Sequence, residues 1–556
     1  MVKTNRESLI GILILSVVVI VLLCRCFFDF NFTDESFYLA MADRLWKGDR
    51  LVLDEWNPSQ FFFPLLLPVY SVYRMIVPSG DSVYLFFRLF AVILSAITSV
   101  YIFLKLKKTC SVASSLVAAL VVLLYSRGNI FGVSYYNIFV LSVVLAFVCF
   151  FYYRVAHQKR ILVLSGMSMA IATCAMPFFI VIDFGILIYM CLKKAIKQLA
   201  YLLLGVALVA IPYLIYLVLT VGDISLLLHL MPMLLGDSEH SLGWFRMLVS
   251  ACKNTVLSIS TFGIMWIVFA SVYALIGNAK QAKRIIICGS SITMLLLLAV
   301  KPENVGKIYV IVPLLFFPYV IYTIKKGVIL FQKYLVEIYF LGFAVSLCFA
   351  SGSNVNVDAM STGMVLSAVS VILIMGFEKG NEDTVYKYLR SFIYVALCVV
   401  CLSYRVLTIS YGGQLLNQTT LVETGPAKGL HIEVEREKQY ESYVEMIRDV
   451  QNRYPEAKTV FYSGMPCWLY VASDLKCGTL SVWGDNVWED RFNRYYKMTD
   501  DRVPEIVMIG GNGNPATASV PLIESHLVGE VIYRQYESSG YDHLWYPYAN
   551  VYILAN

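Results

Sequence analysis

Two acidic pairs lie close together near the start of this chain, Asp34-Glu35 and Asp54-Glu55. A carboxylate can take the proton of a hydroxyl as that hydroxyl attacks an electrophilic carbon. The first pair follows Thr33 and opens a helical pattern: Phe37, Met41 and Leu45 recur at i, i+4 and i+8, and Gly48 marks a stop. Thr33 reads as the N-cap, which places Asp34 and Glu35 in the first turn, where the helix dipole favours negative charge. Helix capping alone accounts for such a pair as readily as catalysis does. The second pair sits in Asp54-Glu55-Trp56-Asn57-Pro58. Three cations precede or open apolar runs: Arg88, Lys301 and Lys307. An arginine inside a membrane span is costly unless paired or wetted, so Arg88 either snorkels to the interface or binds an anion.

These residues are positioned by elements that belong in a bilayer. The chain has 556 residues, 59% hydrophobic and only 15% charged. Soluble domains carry about a quarter charged residues. Thirteen apolar runs read as spans, near residues 8–28, 84–104, 110–126, 138–153, 161–176, 178–192, 199–220, 254–276, 284–300, 307–324, 331–350, 361–377 and 391–410. Every second connection is basic: Lys105, Lys107 and Lys108; Arg154, Lys159 and Arg160; Lys193, Lys194 and Lys197; Lys280, Lys283 and Arg284; Lys325, Lys326 and Lys333; Lys379, Lys387 and Arg390. By the positive-inside rule these clusters share the cytoplasmic side, with the N-terminus inside and the C-terminus outside. Phe61 to Val77 is apolar but holds Pro64, Pro68 and Arg74, and as a span it would invert every cluster. It is therefore expected in the first outer loop (29–83) as a surface or re-entrant segment. A second long outer loop covers 221–253, with Leu226 to Leu235 along the interface. Beyond residue 411 hydropathy falls, and Thr459 to Tyr462 and Glu505 to Ile509 alternate with polar turns. The expected fold is a membrane all-α bundle (1–411) carrying an extracytoplasmic α/β domain (412–556).

Several functions are disfavoured. The net charge of +6 is dispersed in short clusters, which excludes a nucleic-acid footprint. The six histidines are scattered, so no metal site is expected, although the sequence is silent on a divalent metal as cofactor. His229 and His240 flank Asp237 and Glu239, a grouping that surface polarity explains. Cys467 and Cys477 fall in the polar C-terminal region and pair only if that region is oxidising. Leu9 to Leu23 lacks a small-x-small cleavage site and reads as an uncleaved first span. Trp468, Trp483, Trp488 and Trp545 serve core packing or stack on sugars.

An Asp-Glu pair just after the first span, in a long outer loop, resembles the GT-C superfamily of lipid-dependent glycosyltransferases, among them the protein O-mannosyltransferases and lipid A aminoarabinose transferases. Arg88-Leu89-Phe90 is similar to that family's Arg-Leu-Pro motif, with Phe90 in place of proline. Lys301 to Pro318 resembles its basic-x-Tyr-x-x-x-Pro segment, which Lys307, Tyr309 and Pro313 fit. The resemblance covers the first two spans, their loop and one later span. It implies inverting transfer of a sugar from a polyprenyl-phosphate donor to an acceptor hydroxyl on a glycan, lipid or protein at the outer membrane face. It implies Asp34 as base and Glu35 orienting the acceptor or Asp34. Arg88, Lys301 and Lys307 would stand against the leaving phosphate, and Asp54, Glu55 and Tyr309 would contact substrate; were Arg88 and Lys307 only interface anchors, the phosphate site would lie among Lys301, Arg127 and Arg246. Two other readings stay open. A transporter or lipid-sugar flippase predicts charges near the midplane and broken helices in matching halves. A non-catalytic scaffold with an outer binding domain leaves the acidic loop unexplained.

Overall fold

The computed structural model describes residues 2–555 apart from 223–224, 227–228, 231–242, 328–329, 354–356, 378–383, 411–412, 484–488, 499–502 and 511–529. Most of the second long loop, with His240, Asp237 and Glu239, and Trp488 lie outside the described residues.

From the N-terminus come α1 (Val2–Arg25), α2 (Asp34–Trp46), α3 (Phe63–Ile76), α4 (Val83–Leu106), α5 (Val112–Leu123), α6 (Tyr135–Ala156), α7 (Lys159–Ala175), α8 (Ile180–Leu192) and α9 (Ile196–Val221). After the second long connection follow α10 (Trp244–Ile276), α11 (Ala279–Val300), α12 (Ile308–Leu315), α13 (Phe317–Lys326), α14 (Leu330–Ser351), α15 (Val357–Met375) and α16 (Thr384–Leu407). Among the described residues, 10 helices are long and apolar enough to cross a membrane, with α12 and α13 counted together in Pro302–Lys326. The chain is a membrane protein built on a helical bundle. The other expected spans form shorter helices: α5 of 12 residues, α7 of 17 and α8 of 13. Pro177 separates α7 from α8, and Pro318 separates α12 from α13, because neither proline can donate to the preceding turn.

Burial follows composition. The central helix is α15, where every residue from Ala359 to Met375 is buried. Its serines and threonines bond carbonyls of its own preceding turn or of α14: Thr362 donates to the Asp358 carbonyl at 2.9 Å, and Ser367 to that of Tyr339 at 2.7 Å. The α7–α9 contact depends on two glycines. A Cβ on Gly166 would lie 2.0 Å from the Leu202 carbonyl oxygen, and one on Gly205 would lie 2.0 Å from that of Val163. Outward faces carry large apolar residues, such as Phe184, Leu208 and Phe269, as a lipid-facing surface requires.

The segment Phe61 to Val77 forms a short 3-10 turn and then α3, which packs on α2. At 14 residues α3 falls short of a span.

The C-terminal region contains β1 (Thr420–Leu421), β2 (His431–Ile432), α17 (Val434–Arg453), β3 (Thr459–Ser463), α18 (Trp468–Ala472), β4 (Lys476–Cys477), α19 (Glu489–Met498), β5 (Ile506–Gly510), α20 (Glu530–Ser539), β6 (Tyr541–Tyr546) and β7 (Ala549–Leu554). Five strands form a mixed sheet in the order β4-β3-β5-β7-β6, with β3 parallel to β4 and β5, and β7 antiparallel to both neighbours. Strands β3, β5 and β7 are buried along most of their length, matching their apolar runs. Trp468 is fully buried and stacks on Tyr440 at 4.4 Å, so it belongs to the core; Trp545 is exposed. Cys467 and Cys477 are both buried free thiols, and burial pushes both up in pKa.

Candidate active site

Asp34 opens α2, but the cap differs from the sequence expectation. Thr33 makes no capping bond. The side chain of Asn31 takes that role: its Oδ1 accepts from the Thr33 amide at 3.0 Å, the Thr33 hydroxyl at 2.8 Å and the Glu35 amide at 3.4 Å. The Asp34 side chain is left at the protein surface, 21% exposed, with the Arg127 guanidinium 3.5 Å away.

Arg127 belongs to a tight turn, Arg127–Asn129, between α5 and α6. Its guanidinium stacks over the Tyr136 ring at 4.3 Å. Burial works against its charge, but Tyr136, Tyr38, Tyr135 and Asp34 outweigh burial, and its pKa rises well above the ordinary value. It is therefore a permanent cation. Asp358, in the first turn of α15, feels the fields of Arg127, Lys307 and Asp34 together. It also lines an open cavity of about 380 Å³ with Lys301, Glu303, Asn304 and Lys307.

The cavity's other wall is a break in α10. Ser260 has φ 63 and ψ 165, a conformation costly for a residue with a side chain. The interruption disturbs the carbonyl ladder there, and buried Asn304 donates to the Ser258 carbonyl at 3.3 Å. Asn254, Leu257 and Ser258 complete the wall. Lys301 is exposed and Lys307 half-buried, so both ammonium groups reach solvent in the cavity. The carboxylates of Glu303 and Asp358 and the ammonium groups of Lys301 and Lys307 thus line a space open to a polar ligand, with the Asp34–Arg127 pair within electrostatic reach of Asp358.

The remaining residues singled out in the sequence lie elsewhere. Glu35 is buried and grips Arg88 with both oxygens at 2.6 Å. Arg88 also donates to the carbonyls of Cys26 at 2.9 Å and Phe28 at 3.0 Å. It joins the start of α4 to α2 and to the end of α1, and is not turned toward the cavity. Asp54 accepts the Arg50 amide at 2.7 Å. Glu55 is fully buried; burial raises its pKa, while Arg44, 2.9 Å away, counters that. Arg44 further donates to Asp49 at 2.5 Å, to the Thr479 carbonyl at 2.5 Å and to the Asp54 carbonyl. The second acidic pair therefore anchors the first loop to the C-terminal region. Tyr309 is buried behind Lys307, edge-on to Tyr125 at 5.1 Å, and its hydroxyl donates to the Val121 carbonyl at 3.4 Å. Arg246 stands exposed at the start of α10.

Asp358, Asn304 and Tyr136 were not singled out from the sequence. A lone carboxylate in the first turn of an apolar run was a legible signal for Asp358. Nothing local marks Asn304 or Tyr136. Among the described residues no group of three or more His, Cys, Asp or Glu side chains is placed to hold a metal ion. No protein-family model matches this chain, and no curated protein matches it.

Proposed function

We propose that this protein transfers a sugar from a polyprenyl-phosphate donor to an acceptor hydroxyl, with inversion at the anomeric carbon. The observation that carries the reading is the open cavity lined by Lys301, Lys307, Glu303 and Asp358, with the Asp34–Arg127 pair near enough to act on Asp358. The resemblance of the first loop and the Lys307-Tyr309-Pro313 segment to GT-C enzymes supports it. Asp34 takes the acceptor proton as the hydroxyl oxygen bonds to the anomeric carbon. The bond from that carbon to the phosphate oxygen breaks, and its electron pair stays on the lipid phosphate. Lys301 and Lys307 oppose the charge that develops there. Arg127 holds the Asp34 carboxylate in place, and Asp358 adds its field to those of Arg127 and Lys307. Arg88 and Glu35 act as a buried brace for α2.

The six basic clusters support a non-cytoplasmic position for this end of the bundle and the C-terminal region. Nucleotide sugars are cytosolic, so a donor at this face must be membrane-borne. The test uses purified protein and a synthetic polyprenyl-phosphate sugar with candidate glycan, lipid and peptide acceptors. Release of lipid phosphate coupled to glycosylated acceptor supports the reading. Binding of the donor without release, across all three acceptor classes, overturns it in favour of a flippase or scaffold.

A further inference from the structure

At the far end of α6 from Asp34 lies a second cavity, of about 310 Å³, enclosed by α6, α7, α8 and α14. Apart from Ser165 its walls are apolar, with Phe147, Phe151, Met169, Ile186, Ile338 and Leu341 among them. Its mouth is polar, formed by Arg154, Tyr189, Tyr334 and Glu337. Arg154 sits in the last turn of α6, between the rings of Phe150 at 5.0 Å and Tyr334 at 5.1 Å. Its Nε is buried and has no hydrogen-bond partner. Arg154 and Glu337 line the same mouth, yet no ion pair joins them.

We propose that this cavity binds one phospholipid of the ethanolamine class. The acyl chain fills the apolar chamber, Arg154 bonds the phosphate and Glu337 the ammonium. The chamber cannot stay empty in a bilayer, because unfilled space forfeits dispersion contacts on every wall. Water is a poor occupant, since it needs two to four polar partners and the walls supply only the Ser165 hydroxyl, whose proton already goes to the Ala146 carbonyl. Hydrocarbon is the material available at that depth. Moving a chain from bilayer to chamber gains little from the hydrophobic effect, because lipid tails are equally apolar. Selectivity therefore comes from the mouth, where a fixed cation and a fixed anion, not paired with each other, complement a headgroup carrying both charges. The flanking tyrosines and Lys193, which lies 5.8 Å over the Tyr189 ring, place this mouth at headgroup level.

Gly185 gives an independent handle. It lines the chamber in the middle of α8, and a Cβ there would meet nothing within 4 Å. Leucine at that position extends into the space claimed by the acyl chain.

The experiment is native mass spectrometry of the delipidated full chain titrated with phosphatidylethanolamine, phosphatidylglycerol or phosphatidylcholine. Wild-type protein should retain one phosphatidylethanolamine about tenfold more tightly than either other lipid, a difference near 1.4 kcal/mol. Arg154→Met should weaken all three. Glu337→Gln should abolish the preference for ethanolamine over glycerol. Gly185→Leu should exclude lipid while raising the melting temperature of the delipidated protein, by filling space and removing a helix glycine. Equal retention by wild type and Arg154→Met, a preference for phosphatidylglycerol, or retention in Gly185→Leu each overturns the proposal.

Discussion

Asp34 and Glu35 are adjacent and chemically alike, yet their surroundings give them opposite roles. Asp34 is partly exposed beside Arg127, whereas Glu35 is sealed against Arg88. Asp34→Asn keeps the shape and the start of α2 but removes proton acceptance. Transfer should drop by roughly two orders of magnitude while donor binding persists. Near-normal single-turnover transfer by this variant would show the carboxylate to be a helix-end group. Glu35→Gln and Arg88→Met each leave an uncompensated buried charge, which should cost about 3–5 kcal/mol in stability. Combining Glu35→Leu with Arg88→Met should recover much of that loss. Thermal melting of the three variants checks the assignment, and additive losses in the double variant would contradict it. Lys307→Met tests the leaving-group role: turnover should fall more than donor affinity, because phosphate charge grows only as the glycosidic bond breaks. Equal losses in both quantities would make Lys307 a ground-state binding residue.

At the scale of elements, much was legible in the sequence. Long apolar runs fixed α4, α6, α9, α10, α11 and α14 to α16, because a bilayer demands about 20 apolar residues and few other structures tolerate them. The runs of α7 and α8 were legible as two segments from Pro177 alone. The cap of α2 was not: Asn31 and Thr33 are both good capping residues, and backbone geometry decides between them. Nor could the sequence tell Asp34 from Glu55. Each carboxylate's role depends on which arginine reaches it, and Arg88 lies 53 positions from its partner Glu35. The lysines of the cavity were visible, but Asp358 and Asn304 enter from α15 and from the turn before α12, and only tertiary packing brings them together. The glycine contact between α7 and α9 offers a test at this scale. Gly205→Leu forces a side chain onto the Val163 carbonyl, so the two helices must separate. Loss should reach or exceed the ~1–3 kcal/mol usual for overpacking. Gly185→Leu, at an open glycine, is the matched control, and equal melting temperatures for the two would refute the close contact.

For the whole molecule, the decisive feature is how the helical bundle and the C-terminal sheet share the first loop. Trp56 donates its amide to the Leu480 carbonyl at 2.7 Å, and Lys47 reaches the carbonyls of Tyr470 at 2.6 Å and Ser473 at 2.7 Å. Asp29 and His431 join the end of α1 to β2, with the Asp29 amide 2.8 Å from the His431 carbonyl. The first loop and the C-terminal sheet therefore share one end of the bundle. The positive-inside reading of the basic clusters predicts that this end is non-cytoplasmic. A reporter active only in the cytoplasm, fused after Asn556, should be silent, and one fused after Lys108 should be active. The reverse pattern would invert the assigned topology.

The Arg44 anchor also sets an order of events during synthesis. Arg44 bonds the Thr479 carbonyl across 435 positions of chain. At elongation rates of about 5–20 residues per second, that partner emerges roughly 20 to 90 seconds after Arg44 itself. Until then a buried guanidinium and two carboxylates have no finished enclosure, and the loop that begins with Asp34 waits unlocked at the membrane surface. A chain stopped after residue 411 should insert its helices yet leave residues 47–57 open to added protease, while the complete chain resists cleavage there. Maturation of the first loop would then be the last step of biogenesis.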